Sequence, residues 1–304
     1  MSTDGRQWIR DCSLVVADRS GQGLELGALR VVFATHKGDT ETPNSAEIKV
    51  YNLSEATESR MQREFTRVVL QAGYQGSLGV IFDGNIRQFR KGRENGVDTY
   101  MEIIAADGDQ AYNWAMVNTT LAAGSRPADR VKVCEKEFQA KGIAGQSVLP
   151  ELGGNPLPRA KVMYGPAKQY LRNEAENTGC SWSFQDNALT MVKKTGYLPG
   201  EAVVLTHETG LVGTPEQTNE GIKARCLLNP RLRVNGRIKL NNASIQQAKT
   251  DLKMAAKRPP GMDRDGIYRI IKVEFSGDTR GQDWYADMVC IGLDDTVNLP
   301  LDMV

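Results

Sequence analysis

The chain has 304 residues, 40% of them hydrophobic and 25% charged, ordinary values for a globular protein. A chain of this length buries about 75% of its unfolded surface and has room for more than one domain. Lysine and arginine total 38 against 37 acidic residues, so no net field argues for nucleic acid or an acidic membrane as a partner.

In chain order, the first stretch reads as short strands. Ile9 and Leu14-Val15-Val16 come first, then a turn at Ser20 to Gly23, then Leu29 to Phe33. His36 to Ser45 is polar and turn-rich and reads as a protruding loop. Its residues His36, Lys37, Asp39 and Pro43 are candidates for an inter-subunit arm. Ala46, Ile48 and Val50 alternate with polar residues, a strand with period two. Ser54 is placed to cap a helix running to about Phe65, with Glu55 and Glu58 at its positive end. Strand signals resume at Val68 to Tyr74 and Leu78 to Phe82. Asp83-Gly84 reads as a turn or bulge before Ile86 to Arg90, and Thr99 to Ala105 closes the series.

The middle differs. Ser125 and Pro127 open a helix with Val131, Cys134 and Phe138 on one stripe. A connector rich in glycine and proline follows. Pro166 opens a second helix, carrying Ala167, Tyr170, Leu171 and Ala175, that stops at Gly179. Cys180 to Gln185, the Asp186-Asn187 turn and Leu189 to Lys193 read as a hairpin.

The last region returns to strands. Gly210 to Asn219 has the composition of a turn, with Gly210, Gly213, Pro215 and Gly221 as candidate backbone-shaping positions. Ile222, Ala224, Cys226 and Leu228 then alternate with Lys223 and Arg225, until Asn229-Pro230 ends the run. Asn235-Gly236 is a hairpin signal. Burial of Leu232, Ile238 and Leu240 on one face requires three loop residues and a bulge, with Gly236 at positive φ. Lys257 to Gly261 reads as a stiff charged loop. Ile267, Ile271, Val273 and Phe275 point inward with Arg269 as the exception, and Trp284, Ala286, Met288 and Cys290 form the return strand. The tail from Asp294 reads as an extended arm.

Little here suggests chemistry. The two histidines, His36 and His207, are far apart, and neither HExxH nor a Cys/His cluster occurs. No GxxxxGK[ST] or GxGxxG motif is present. Glu174 and Glu176 read as solvated helix surface, although a carboxylate pair of the glycosidase type is the alternative. Arg87, Arg90, Lys91 and Arg93 beside Phe89 read as a solvated strand end in preference to a nucleic-acid patch. Tyr268, Trp284 and Tyr285 read as core or interface anchors. The five cysteines, Cys12, Cys134, Cys180, Cys226 and Cys290, are widely spaced and read as reduced structural thiols. No apolar signal core and no membrane-length apolar window is present, so neither secretion by a signal peptide nor membrane spanning is expected.

The fold class expected is mainly β with an α+β insert. Three stretches, AEIKVYNLSEATESRM (46–61), GLVGTPEQTNEGIKARCLLNPRLRVNGRIKLNN (210–242) and GIYRIIKVEFSGDTRGQDWYADMVC (266–290), carry a further reading. In them the chain resembles baseplate hub proteins of contractile-tailed bacteriophages. The resemblance implies two tail-tube-like β-barrels, at 1–107 and 201–304, flanking a small α+β domain at 108–200. It implies a homotrimer whose six barrels match a hexameric tail tube protein above, while the threefold axis matches a spike protein below. Tape-measure protein and then genomic DNA would pass through the lumen without specific binding. The implied location is the virion tail baseplate, assembled in the host cytoplasm, with other baseplate proteins as neighbours. No cofactor, metal or catalytic residue is implied. The alternatives are a tail-tip peptidoglycan-degrading enzyme and the hub of a related contractile secretion system.

Overall fold

The computed structural model describes residues 8–18, 20–247 and 261–293. Of the loop expected at Lys257 to Gly261 all but Gly261, and the whole arm expected from Asp294, lie outside the described residues. The first region contains β1 (Arg10–Ala17), β2 (Gly23–Glu25), β3 (Val31–Gly38), β4 (Ser45–Tyr51), α1 (Glu55–Glu64), β5 (Arg67–Tyr74), β6 (Ser77–Glu94) and β7 (Asp98–Ala106). The middle holds α2 (Asp109–Trp114), β8 (Met116–Leu121), α3 (Pro127–Ala140), β9 (Lys161–Pro166), α4 (Ala167–Thr178), β10 (Cys180–Gln185) and β11 (Ala188–Lys193). The last region supplies β12 (Val203–Val204), β13 (Leu211–Thr218), β14 (Gly221–Leu227), β15 (Arg237–Lys239), β16 (Ile267–Asp278) and β17 (Trp284–Gly292).

Local chemistry explains the helices. Ser54 accepts the Thr57 N–H at 3.2 Å and caps α1, with Glu55 and Glu58 in the first turn where the helix end is positive. Pro127 begins α3, which buries Val131, Cys134 and Phe138. Gly179 ends α4 in the left-handed conformation, φ 65°.

The chain is mainly β. The first and last regions do not form separate sheets but join in one sheet of thirteen strands. Its order is β13-β14-β17-β16-β3-β4-β7-β6-β5-β1-β2, with β15 beside β16 and β12 parallel to β15. The seam is antiparallel pairing of β3 with β16, from Lys272↔Gly38 to Asp278↔Val32. Among the described residues no strand ladder closes the sheet into a barrel, in contrast to the two barrels expected. Instead the sheet curls. The indole Nε1–H of Trp284 on β17 donates to the carbonyl of Gly73 on β5 at 3.1 Å, six strand positions away along the sheet. Curling lets one hydrophobic core draw on both regions, from Leu14, Ile48 and Phe82 to Ile222, Tyr268 and Phe275. Burial of this continuous apolar face is the main favourable term in the fold.

Three expectations about strands are corrected. Asp83-Gly84 is no turn, because β6 runs through it; the irregularities fall instead on either side of the pair, between Leu70 and Gln71 of β5 and between Ile86 and Gln88 of β6. Gly210 to Asn219 is mostly strand β13. Its Gly213 and Pro215 sit in a bulge, where residues 213–215 lie opposite Ala224 alone. Asn235-Gly236 makes no hairpin, since residues 231–234 are not a strand and β15 pairs with β16 and β12. There Asn235 takes the left-handed conformation, φ 64°, and Gly236 does not. Leu232, Ile238 and Leu240 are all buried, but so is Val234, so this segment packs on the core as a coil.

Gly221 takes φ 140°, and an added Cβ would collide with the Cys290 carbonyl on β17. Gly221→Ala is expected to cost about 2 kcal/mol or more in a urea titration, through backbone strain and the clash together. Gly213→Ala, at φ 71° with open space around the added carbon, carries strain alone and is expected to cost less.

The middle region has a second core, separate from that of the sheet, formed by Val117, Val131, Cys134, Phe138, Met163, Leu171, Trp182 and Phe184. Phe138 stacks on Trp182 with centroids 6.2 Å apart and meets Phe184 edge-on at 5.2 Å. Helices α3 and α4 pack on each other beneath this cluster. Glu174 is not solvated surface as the sequence reading had it. It is 1% exposed, and its carboxylate takes Arg130 Nε at 2.5 Å and Nη2 at 2.8 Å, with Lys161 Nζ at 3.3 Å. Glu176 is exposed.

Candidate functional site

The four candidate arm residues form no projecting loop. His36 and Lys37 belong to β3, and Asp39 follows it. Only residues 39–44 connect β3 to β4. The reason is period two: Val31, Phe33, Thr35 and Lys37 all point inward, so the strand continues past its apolar half. Lys37 is 3% and Asp39 9% exposed, Pro43 is half-buried, and only His36 is exposed.

Their burial comes from a polar joint between the sheet and the β10–β11 hairpin. The hairpin turn uses Asp186 and Asn187 at φ 52° and 63°, both left-handed as a two-residue turn of this kind requires. That turn aims Asp186 at β3, where both carboxylate oxygens accept from Lys37 Nζ, at 2.6 and 2.7 Å. Asn44 donates to the Phe184 carbonyl at 2.7 Å and accepts the Gly38 N–H at 2.9 Å. Gln185 donates to the Gly38 carbonyl at 2.9 Å. Asp39 accepts from Ser181 at 2.7 Å and from Asn235 at 2.9 Å, and Arg269 lies 3.7 Å away. Arg269, the inward exception on β16, also donates to the carbonyls of Lys194 and Gly196 at 2.9 and 2.8 Å. Three separate chain segments thus meet at Asp39. Because nearly every donor has an acceptor, the joint holds the insert in a fixed orientation.

Arg269 Nε and Asn235 Oδ1 are buried in the joint without a hydrogen-bond partner, and so is one oxygen of Asp107, which follows β7. Asp107 is 1% exposed; Oδ1 accepts the Asn187 N–H at 3.0 Å, while Oδ2 has no hydrogen-bond partner. Burial, reinforced by Asp186 and Asp83 and opposed by Lys37, pushes its pKa from 3.8 up to about 8. The folded state therefore keeps a proton that the unfolded state releases above the ordinary carboxylate range. Stability falls as pH rises from about 4 to about 8, by the order of a few kcal/mol, and is level beyond. Asp107→Asn is expected to remove this component. The variant should gain on the wild type steadily between pH 5 and pH 8 in urea midpoints (window set by the shift above). Parallel profiles would show that Asp107 is ionised in the folded protein.

A groove of about 630 Å³ lies on the outer face of β13, β14, β17 and β16. Apart from Glu216, its charges are paired: Arg225 with Asp287 at 2.7 and 3.0 Å, Lys272 with Glu274 at 2.8 Å, and Lys223 with Glu220 at 3.3 Å. His36 Nδ1 is 3.2 Å from Glu274. Burial would raise the Glu274 carboxyl, but hydrogen bonds from Lys272 and His36 prevail and lower it. A carboxylate so held is a poor proton donor at neutral pH. Among the described residues no group of three or more His, Cys, Asp or Glu is placed to hold a metal ion.

The remaining candidates have structural places. Arg87 pairs with Asp109, Arg90 with Glu102 and Lys91 with Glu58. Tyr268 and Trp284 are in the core, and Tyr285 is half-buried. Every cysteine is free, and burial pushes the Cys134 and Cys226 thiols up to about 12, far from a reactive thiolate. Among the described residues no helix is long and apolar enough to cross a membrane.

The curled sheet with its laterally fixed α+β insert has counterparts among solved structures. A tail protein from Neisseria meningitidis MC58 superposes with TM-score 0.59 over 95% of this chain and 98% of its own, at 8% identity. The 43 kDa tail protein of prophage MuSo2 from Shewanella oneidensis gives 0.57 over 94% and 97%, at 9% identity. The fold is that of phage tail proteins. The E. coli c3393 protein, described as a type VI secretion component with structural similarity to the T4 bacteriophage tail proteins gp27 and gp5, shares it. It has TM-score 0.57 and 13% identity over 90% of this chain and 77% of its own. No family model and no curated protein sequence matches the chain. The tail-protein fold is thus kept with few identical residues, which suits a fold specified by strand period and core volume more than by particular side chains.

Proposed function

We propose that this chain is a baseplate hub of a contractile phage tail, a trimeric adaptor that joins a hexameric tail tube to a trimeric spike around a central channel. The observation that supports the reading most is the shared sheet. Residues 10–106 and 203–292 each contribute a group of strands, and β3 with β16 joins the groups side by side in one subunit. Three subunits would then present six strand groups to a sixfold tube. In this reading the chain divides at 1–107, 108–200 and 201–304, with each outer part acting as a tube-like unit. The role is structural rather than enzymatic. The ion pairs of the groove and the buried thiols of Cys134, Cys180, Cys226 and Cys290 favour it.

The test is coexpression with the neighbouring tube and spike genes, followed by isolation through a tag on this chain. The expected product contains three copies of the chain to three of the spike. Isolation of the chain alone from such cells would contradict the proposal. A second reading, the hub of a contractile secretion system, is favoured by the match to the E. coli secretion component. It keeps the same geometry and changes only the assembly.

A further inference from the structure

Strands β8 and β9 stand apart from the main sheet as a two-stranded antiparallel pair, from Met116↔Pro166 to Leu121↔Lys161. The Tyr170 hydroxyl accepts the Tyr164 N–H at 2.8 Å and donates to the Tyr164 carbonyl at 3.2 Å. Both backbone groups of Tyr164 therefore point away from β8, so Asn118↔Tyr164 is a pair without mutual hydrogen bonds. The same alternation directs the N–H and C=O of Met116, Asn118 and Thr120 to the outer edge of β8. Pro166 opposite Met116 fits this phase, having no N–H to give. The Ala167 N–H donating to the Ala115 carbonyl at 2.9 Å continues it.

Tyr170 thus closes the middle of the β9 edge, while the β8 edge has no hydrogen-bond partner among the described residues. The face beside it is apolar and exposed: Met116 at 49%, Val162 at 70% and Tyr164 at 73%, with Trp114 at 65% where α2 ends. The opposite face, with Val117 and Met163, is buried in the second core. Cations flank the strip. The ladder continues through the Leu157 N–H to the Ser125 carbonyl at 2.9 Å, which brings exposed Arg126 and Arg159 to one end. Lys168 lies at the other, its Nζ 3.9 Å from the Tyr112 ring centre. Among the described residues none of these three cations pairs with an acidic side chain.

We propose that the outer edge of β8 receives an extended acidic and apolar segment of another protein, which adds to this pair as a third strand. A two-stranded sheet is marginal by itself, and an unpaired edge is a template for a further strand. Backbone pairing supplies affinity, while alternate apolar side chains cover Met116, Val162 and Tyr164. Acidic residues at the ends of the segment meet Arg126, Arg159 and Lys168, so charge complementarity selects the partner and fixes its position. The inference does not depend on the hub reading.

The probe is a short acetylated, amidated peptide in which valine alternates with aspartate and threonine, measured by fluorescence polarisation on the full chain. It is expected to bind about tenfold or more tightly than a scrambled peptide of the same composition. Asn118→Pro removes an outward N–H without touching the β8–β9 ladder, and is expected to weaken binding about tenfold or more. Tyr164→Ser tests the apolar face if the proline variant fails to fold, with a several-fold loss expected. Equal binding of both peptides, or unchanged binding by a folded variant, would overturn the proposal. So would self-association through β8, seen as a concentration-dependent mass that Asn118→Pro abolishes, since the occupant would then be a second copy.

Discussion

Replacing Glu174 by leucine is expected to destabilise the insert by about 3–5 kcal/mol. Arg130 and Glu174 are 7% and 2% exposed as side chains and form a two-bond pair inside the second core. Removal of the carboxylate strands a guanidinium there with only the Ser125 carbonyl, 3.3 Å away, as a remaining acceptor. Lys161 is a third exposed and can turn to water, so its loss of partner adds little. Paired replacement, Arg130→Met with Glu174→Leu, should recover most of the loss, because the desolvation cost disappears with the attraction. Urea unfolding of the two single variants and the double variant measures this as a coupling energy. Purely additive losses would show that the pair is not a unit.

Trp284→Ala is expected to cost about 3–5 kcal/mol and to loosen the two halves of the sheet together. The ring is 1% exposed, meets Phe33 edge-on at 5.4 Å and has the Arg10 guanidinium 5.5 Å above it. Its indole N–H is the bond from β17 to Gly73 that marks the curl of the sheet. Arg10 reinforces the same approach by donating to the Gly281 and Gln282 carbonyls, each at 2.7 Å. Trp284→Phe keeps much of the volume and drops the hydrogen bond, so it should lose about 1–2 kcal/mol. Hydrogen exchange should show faster opening at both β5 and β17 in Trp284→Ala. Faster exchange confined to β17 would mean that the halves have separate cores.

Much of this was legible because it is periodic. The strands around Ala46, Ile222 and Trp284 alternate cleanly, and α1, α3 and α4 carry both stripes and end signals. The short elements α2, β8 and β9 were missed, since six residues hold too little pattern to declare a period. Turn-like composition hid β13, where Gly213 and Pro215 serve a bulge inside a strand. The joint was unreadable for another reason: Lys37, Asp39 and Asp186 look solvated in sequence, and only long-range pairing shows their burial. Glu174 did leave a signal. It occupies the stripe of Leu171 and Ala175 on α4, as Arg130 occupies the stripe of Cys134 and Val131 on α3. Opposite charges on two apolar stripes point to a buried pair.

The seam between β3 and β16 is what lets one subunit offer two strand groups side by side, and the hub reading rests on that arrangement. The most direct measurement is the absolute mass of the purified chain by light scattering, paired with negative-stain class averages. The account predicts the mass of three subunits and a ring with six lobes around a central hole. A monomer that stays monomeric with tube and spike proteins present would contradict it.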